Sequence, residues 1–148
     1  MDPLLRDVRL YVYSQMIETS AAPTAAETAH ALSRSTEEVE AAYRALAEAR
    51  MLVLRPQSHT VWMAMPFSNI ETGFTVIAGG RAYYANCAWD AFGIPALMEE
   101  DARIFTTCAD CGASIERKVS HGTPDAAAGG VVHFALPPKR WWDDVGFT

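Results

Sequence analysis

The chain has 148 residues, of which 50% are hydrophobic and 20% are charged, and this balance excludes a disordered or collagen-like chain. Twelve Lys and Arg residues against eighteen Asp and Glu residues give a formal net charge of −6, which disfavours nucleic acid as a partner. No apolar run is long enough to span a membrane, and the first residues lack a signal-peptide pattern. We therefore expect a cytoplasmic protein with no membrane partner.

Three helices are predicted at the start of the chain, each with apolar residues at helical spacing. Thr24 precedes an alanine-rich stretch and has Glu27 three residues later, which is the pattern of a capping box. Ser35 or Thr36 is a similar cap before the third helix. The predicted helices cover residues 4–17, 25–32 and from Ser35 or Thr36 to about Arg50.

A β-hairpin is predicted directly after the third helix, because β-prone stretches at 51–54 and 61–65 flank a polar tip. Three helices followed by such a hairpin are typical of a winged-helix domain, which we place at residues 1–65 and which usually binds DNA through its third helix. That region holds six arginines against eight acidic residues. A DNA-binding regulator is therefore the weakest function considered, and a structural or partner-docking role is favoured.

Residues 66–148 are predicted to form a second domain, in which a mixed β-sheet packs around one buried helix. The helix starts at Cys87 with Asn86 as its N-cap, and Gly93 and Pro95 interrupt its regularity. The predicted strands lie within 67–78 and at 103–107, 114–119 and 131–136. The fold class predicted for the whole chain is therefore α+β.

The three cysteines, Cys87, Cys108 and Cys111, are the first candidates for chemistry. An odd number of cysteines is atypical of a secreted disulfide framework, so free thiols or metal ligands are the better interpretation.

Cys87 and Asp90 are three residues apart at the start of the predicted helix, so their side chains share one face with Cβ atoms about 5–6 Å apart. The positive end of the helix dipole is expected to lower the pKa of the Cys87 thiol. Apolar neighbours are expected to desolvate Asp90 and raise its pKa, which suits a proton donor. The alternative is that Cys87 is a small buried hydrophobe and Asp90 a solvated acid.

Cys108 and Cys111 form a Cys-x-x-Cys motif in a predicted turn between two strands. Such a motif is half of a zinc site or a redox pair, but no other Cys or His residues have the spacing of a second half-site. A thioredoxin-type motif opens a helix, whereas this one returns directly to a strand. We favour a turn with two half-buried thiols, with metal ligation by Cys108 and Cys111 as the alternative.

Two further features are interpreted as structural. His133 lies in an apolar run, where a histidine is more often a hydrogen-bonded core residue than a ligand. Trp141 and Trp142 lie near the end of the chain, where large aromatic residues more often anchor a terminal segment than close a site.

Residues 84–97 resemble the active-site segment of the organomercurial (alkylmercury) lyases. That segment has a cysteine, an aspartate three residues later and a nearby Phe/Ile-Pro-Ala-Leu sequence, and here these are Cys87, Asp90 and 94–97. The likeness also includes an N-terminal winged-helix-like domain that does not read DNA. Further matching stretches lie at 103–104, 108–113 and 132–137.

The resemblance implies an enzyme that cleaves carbon–mercury bonds by protonolysis. It implies that Cys87 is the thiolate that binds mercury, that Asp90 protonates the leaving carbon, and that no organic cofactor is required. Thiolate sulfur suits mercury, because both are soft. The implied partners are an organomercurial substrate and an acceptor of the bound Hg(II) product, either cellular thiols or a mercuric reductase. Occupation of the thiols by another soft metal is an alternative.

The lyase family has a second catalytic cysteine, about a dozen residues beyond the Leu-Pro that Leu136 and Pro137 resemble. That position falls at or immediately after Thr148. We therefore expect either that the natural chain continues past Thr148 or that the protein is a non-catalytic, thiol-based metal-binding or regulatory relative. Cys108 and Cys111 are a weaker substitute, because the family's cysteine at the Cys108 position is not catalytic.

Overall fold

Helices dominate the N-terminal part of the computed structural model, which describes residues 2–125 and 129–146. Asp2 caps the first helix by accepting hydrogen bonds from the amides of Leu4 and Leu5. Thr24 and Ser35 each form a complete capping box, with Ser35 rather than Thr36 as the cap. The three N-terminal helices are thus confirmed. In the described residues the α-helices are α1 (Pro3–Thr19), α2 (Ala25–Leu32), α3 (Thr36–Glu48) and α4 (Ala88–Met98).

The strands of the described residues form one sheet, in the order β1-β2-β3-β5-β4-β6-β7-β8. The strands are β1 (Val53–Leu54), β2 (Val61–Ala64), β3 (Phe67–Ser68), β4 (Thr75–Ala78), β5 (Arg81–Ala85), β6 (Ala102–Thr107), β7 (Ser114–Ser120) and β8 (Thr123–Pro124). Every neighbouring pair is antiparallel, so the α+β class is confirmed and the prediction of a mixed sheet is wrong. The connection through α4 joins two strands of the same direction, β5 and β6, but β4 lies between them and is antiparallel to both.

The sheet continues across the boundary that the sequence suggests at residue 65, since β2 pairs with β3. Buried side chains from both halves form one hydrophobic cluster. Helix α1 also joins the two halves: the hydroxyl of Tyr13 donates to the carbonyl of Met65, and the hydroxyl of Tyr83 donates to the carbonyl of Ile17, both at 2.7 Å. The division into domains at 1–65 and 66–148 stays a prediction, as does the winged-helix interpretation.

Residues 131–136, predicted to be a strand, do not join the sheet. Val131 is 94% exposed, and the end of β7 already pairs with β8. The following Pro137 and Pro138 lack amide donors for a strand ladder, and a short 3-10 helix starts at Pro138. The prediction is wrong because the apolar residues of this segment pack beside the start of α4 rather than in the sheet.

Helix α4 packs on β4, β5 and β6. Ala91, Ile94 and Pro95 are buried, whereas Trp89 is 65% exposed. The helix is thus buried along one face. Its first turn reaches the surface beside residues 131–146, which are called the C-terminal segment below. None of the helices in the described part of the chain combines the length and the hydrophobicity that a membrane-spanning segment requires.

Candidate active site

Cys87 lies at the junction between β5 and α4. It is the N-cap of α4, and its carbonyl accepts a hydrogen bond of 2.9 Å from the amide of Ala91. The prediction that Asn86 caps the helix is therefore wrong, because the side chain of Asn86 binds elsewhere. The N-cap position leaves the sulfur of Cys87 at the open end of the helix, where the first amides lack intrahelical partners.

Asp90 lies in the first turn of α4, three residues after Cys87, and the two side chains are close enough to affect each other's pKa. Burial raises the pKa of its carboxyl group, and the hydrogen bonds from Asn86 and Cys87 oppose this effect only in part. This is the direction predicted from the sequence. A raised pKa favours the neutral carboxylic acid, the form that can donate a proton.

The pKa of the Cys87 thiol is also raised, so the expectation of a thiol activated by the helix dipole is wrong. Burial is the main cause. The amides of Asp90 and Trp89 at the helix start lower the pKa, while the negative charge of Asp90 and its hydrogen bond with the thiol raise it. Desolvation thus outweighs the helix N-terminus, and the raised pKa favours the protonated thiol.

Asn86 positions the carboxyl group of Asp90. Its side-chain nitrogen donates to Oδ2 of Asp90 at 3.0 Å and lies 3.2 Å and 3.3 Å from the carbonyl oxygens of Pro66 and Phe67. Because carbonyl oxygens only accept hydrogen bonds, the side-chain atom of Asn86 that faces them is the amide nitrogen. Its oxygen is buried and has no hydrogen-bond partner among the described residues. The sequence analysis missed this role, although the residue directly precedes Cys87.

Cys87 lies between two cavities. The larger has a volume of about 350 Å³ and the smaller one of about 70 Å³, and Cys87 and Asn86 line both. Asp90 lines the smaller cavity only. The larger cavity is bounded by aromatic side chains from the sheet and from the C-terminal segment, namely Trp62, Phe74, Phe134 and Trp141. The thiol and the acid therefore share a small cavity that adjoins a larger aromatic one.

The C-terminal segment covers this region. The rings of Phe134 and Trp141 are 5.0 Å apart, and the guanidinium of Arg50 lies 5.2 Å from the ring centre of Trp142. Trp141 and Trp142 both line the smaller cavity, and Trp141 also anchors the segment, as predicted, by packing on Phe134 and donating to the carbonyl of Leu136. His133 is exposed and lines the larger cavity, so it is not the core residue expected from the sequence.

Cys108 and Cys111 occupy the turn between β6 and β7, as predicted. Cys108 is half-buried and Cys111 exposed, so the expected burial holds for one of the two. Neither lines the cavities at Cys87. Hydrogen bonds from the amides of Cys111 and Asp110 and from the Cys111 thiol lower the pKa of Cys108. The structure therefore brings Cys87 and Asp90 together and leaves this pair apart from them.

Comparisons with known proteins point to one family. A family model described as alkylmercury lyase (MerB) matches residues 67–148. Among solved structures, the chain is similar to the one described as the crystal structure of the mercury-bound form of MerB2, with a TM-score of 0.64 and 24% sequence identity. The alignment covers 82% of this chain and 62% of that one, so the present chain spans less than two thirds of its length. The comparison with curated proteins gives no match.

Proposed function

Since the chain belongs to the alkylmercury lyase family, we propose that it cleaves carbon–mercury bonds by protonolysis, with Cys87 binding mercury and Asp90 delivering the proton. The observation that carries this proposal is that a half-buried thiol and a carboxyl group of raised pKa line one small cavity. Such a pair supplies both a soft ligand for the metal and an acid for the carbon.

The first step transfers the thiol proton to Asp90. The thiol of Cys87 and the carboxylate of Asp90 line the same small cavity, so the proton moves to Asp90 as the sulfur bonds to mercury and the former mercury ligand departs as an anion. The raised pKa of Asp90 favours this transfer, because its carboxylate binds a proton more tightly than it would in water. The raised pKa of the thiol opposes the transfer, and formation of the sulfur–mercury bond compensates for it. The result is an organomercury–Cys87 adduct beside a protonated Asp90.

The second step breaks the carbon–mercury bond. The proton of Asp90 is transferred to the carbon, which takes the electron pair of that bond and leaves as a hydrocarbon. Hg(II) remains bound to the sulfur of Cys87, and the carboxylate is regenerated beside it. Two small thiols then replace the protein ligand on Hg(II). One of their two protons returns to Cys87, the other passes to solvent, and Hg(II) leaves with the two thiolates. Cellular thiols or a reductase are the proposed acceptors, in keeping with a reducing cytoplasm and with the free state of all three cysteines.

The larger cavity is the proposed binding site of the organic group. Its aromatic walls favour apolar groups over charged ones, and its volume of about 350 Å³ admits an aryl as well as an alkyl group. Phe134 and Trp141 line both cavities and keep bulk water away from Asp90 in the smaller one, which maintains its raised pKa.

The test is turnover of phenylmercury and methylmercury salts in excess thiol, with benzene or methane and Hg(II) both quantified. We expect equal amounts of hydrocarbon and Hg(II) from the unmodified chain. Cys87→Ser should lose mercury binding at the cavity and turnover together. Asp90→Asn should still bind the organomercurial through Cys87 but release little hydrocarbon. Turnover that survives both substitutions would refute the assigned roles.

A second candidate function is that of a non-catalytic metal-binding relative. It is supported by the presence of one cysteine only at the two cavities, as far as the described residues extend, and by the raised pKa of its thiol. The position expected for a second catalytic cysteine, at or after Thr148, lies outside the described residues. Stoichiometric mercury binding at Cys87 with no hydrocarbon release would favour this candidate over the lyase.

A further inference from the structure

Cys108 and Cys111 form a second pair of thiols, held in a defined turn between β6 and β7. The amide of Cys108 donates to the carbonyl of Ala113 at 2.8 Å, and the amide of Gly112 donates to the carbonyl of Cys108 at 2.9 Å. Gly112 has a φ of +70°, a left-handed conformation that glycine adopts without a Cβ clash. The backbone therefore fixes the relative position of the two cysteines.

The two cysteines are three residues apart in this turn, which is closed by a hydrogen bond from the amide of Gly112 to the carbonyl of Cys108. Cys111 is exposed and Cys108 is half-buried. An ion that arrives from solvent can therefore reach both cysteines.

The number of ligands restricts the kind of metal. Within residues 2–125 and 129–146, no group of three or more His, Cys, Asp or Glu side chains is placed to hold a metal ion. A structural zinc ion takes four protein ligands, and Ca²⁺ or Mg²⁺ takes about six oxygens. Two thiolates alone suit a soft ion that accepts two sulfur ligands in a line.

We propose that Cys108 and Cys111 form a two-thiolate site that binds one Hg(II) ion, separately from Cys87. The choice of Hg(II) among soft ions rests on the proposed function, because that reaction releases Hg(II) as a complex with small thiols. Binding is a ligand exchange without oxidation or reduction. The two sulfurs of the pair replace two small thiolates on Hg(II), and the two protons of the pair pass to the departing thiolates.

The experiment uses the full chain with Cys87→Ser, so that the pair is measured without the cavity thiol. HgCl₂ is added in millimolar glutathione, and mercury per chain is measured by elemental analysis after gel filtration, together with the ultraviolet absorption of mercury–thiolate bonds. We expect one Hg(II) ion per chain. Adding Cys108→Ser or Cys111→Ser should weaken binding about 100-fold, because the second sulfur then no longer binds intramolecularly. ZnCl₂ should not be retained.

Two results would overturn the proposal. One is equal retention of Hg(II) by Cys87→Ser and by both double variants, which would mean that mercury binds elsewhere. The other is a Cys108–Cys111 disulfide that persists in the glutathione buffer, detected by intact mass, which would assign the pair to redox chemistry.

Hydrocarbon release separates this proposal from the proposed function. Cys108→Ser in the otherwise unmodified chain should cleave phenylmercury at the rate of the unmodified chain. Binding of Hg(II) by the pair without any hydrocarbon release from the unmodified chain would contradict only the lyase. Hydrocarbon release without mercury on the pair would contradict only the second site.

Discussion

The side-chain nitrogen of Asn86 donates a 3.0 Å hydrogen bond to Oδ2 of Asp90. The same nitrogen faces the backbone carbonyls of Pro66 and Phe67 at 3.2 Å and 3.3 Å. The carboxyl group is therefore oriented from the β3 strand as well as from its own helix. The hydrogen bond also lowers the pKa of Asp90 against the larger effect of burial, so Asn86 both positions the proposed proton donor and moderates its acidity.

We expect Asn86→Ala to raise the pKa of Asp90, because it removes a hydrogen bond that favours the carboxylate. Turnover should fall about ten- to hundredfold through loss of orientation. Carboxyl carbon NMR of Asp90 over a pH series measures the pKa without any substrate. Asn69→Ala is the matched control, since the Asn69 amide binds the carbonyl of Val61 and the amide of Ala22 instead. An unchanged Asp90 titration in Asn86→Ala would rule out the electrostatic role.

Asp90→Asn should increase the stability of the fold while removing turnover. The pKa of Asp90 is raised in the folded state, so the folded state holds the proton more tightly than the unfolded state. Stability from this group is therefore present at low pH and is lost as the pH rises through the raised pKa. The neutral amide of Asn avoids that loss of stability. Hydrocarbon release should fall about 10²- to 10⁴-fold, because the proton donor is absent.

Thermal unfolding at several pH values measures this effect. The Tm of Asp90→Asn should exceed that of the unmodified chain at neutral pH, and the difference should shrink at acid pH. A lower Tm for Asp90→Asn at neutral pH would mean that the carboxylate stabilises the fold, which contradicts the raised pKa.

The cysteines should react with iodoacetamide in a fixed order. Burial raises the pKa of Cys87, whereas neighbouring amides and a thiol lower the pKa of Cys108. Because the thiolate is the reactive form, Cys108 should be alkylated faster than Cys87 at neutral pH, and the rate at Cys87 should keep rising at higher pH. Peptide mass spectrometry over time measures both rates, with the unfolded chain as control. Faster alkylation of Cys87 would instead indicate an activated thiolate.

Gly146→Ala should displace the C-terminal segment, which covers the two cavities at Cys87. A Cβ atom at Gly146 would lie 2.6 Å from the ring of Trp62, too close for two carbon atoms, so the C-terminal segment must shift. We expect the fluorescence of the tryptophans to move to longer wavelength as water enters, and the KM for phenylmercury to rise. Gly73→Ala is the control, because nothing lies within 4 Å of its Cβ position. Equal effects of the two substitutions would contradict the proposed cover.

Local signals were sufficient for several elements. The caps at Thr24 and Ser35 and the apolar spacing after them predict α2 and α3, because capping and helical periodicity depend on residues within one or two turns. The turn at Cys108 follows from its neighbours in the same way. The prediction of a strand at 131–136 is wrong, because a short apolar run has the same sequence pattern whether it pairs in a sheet or covers a cavity.

The sequence by itself determined the α+β class, the N-terminal helices and the spacing that puts Cys87 and Asp90 on one turn of α4. Only the tertiary structure decided the pKa of Cys87, because desolvation depends on side chains such as Trp141 that arrive from far along the chain. It also placed the carbonyls of Pro66 and Phe67 against Asn86, which is 20 and 19 residues away in sequence. Short-range geometry is encoded locally, whereas burial and the orientation of an acid depend on which distant segments pack together.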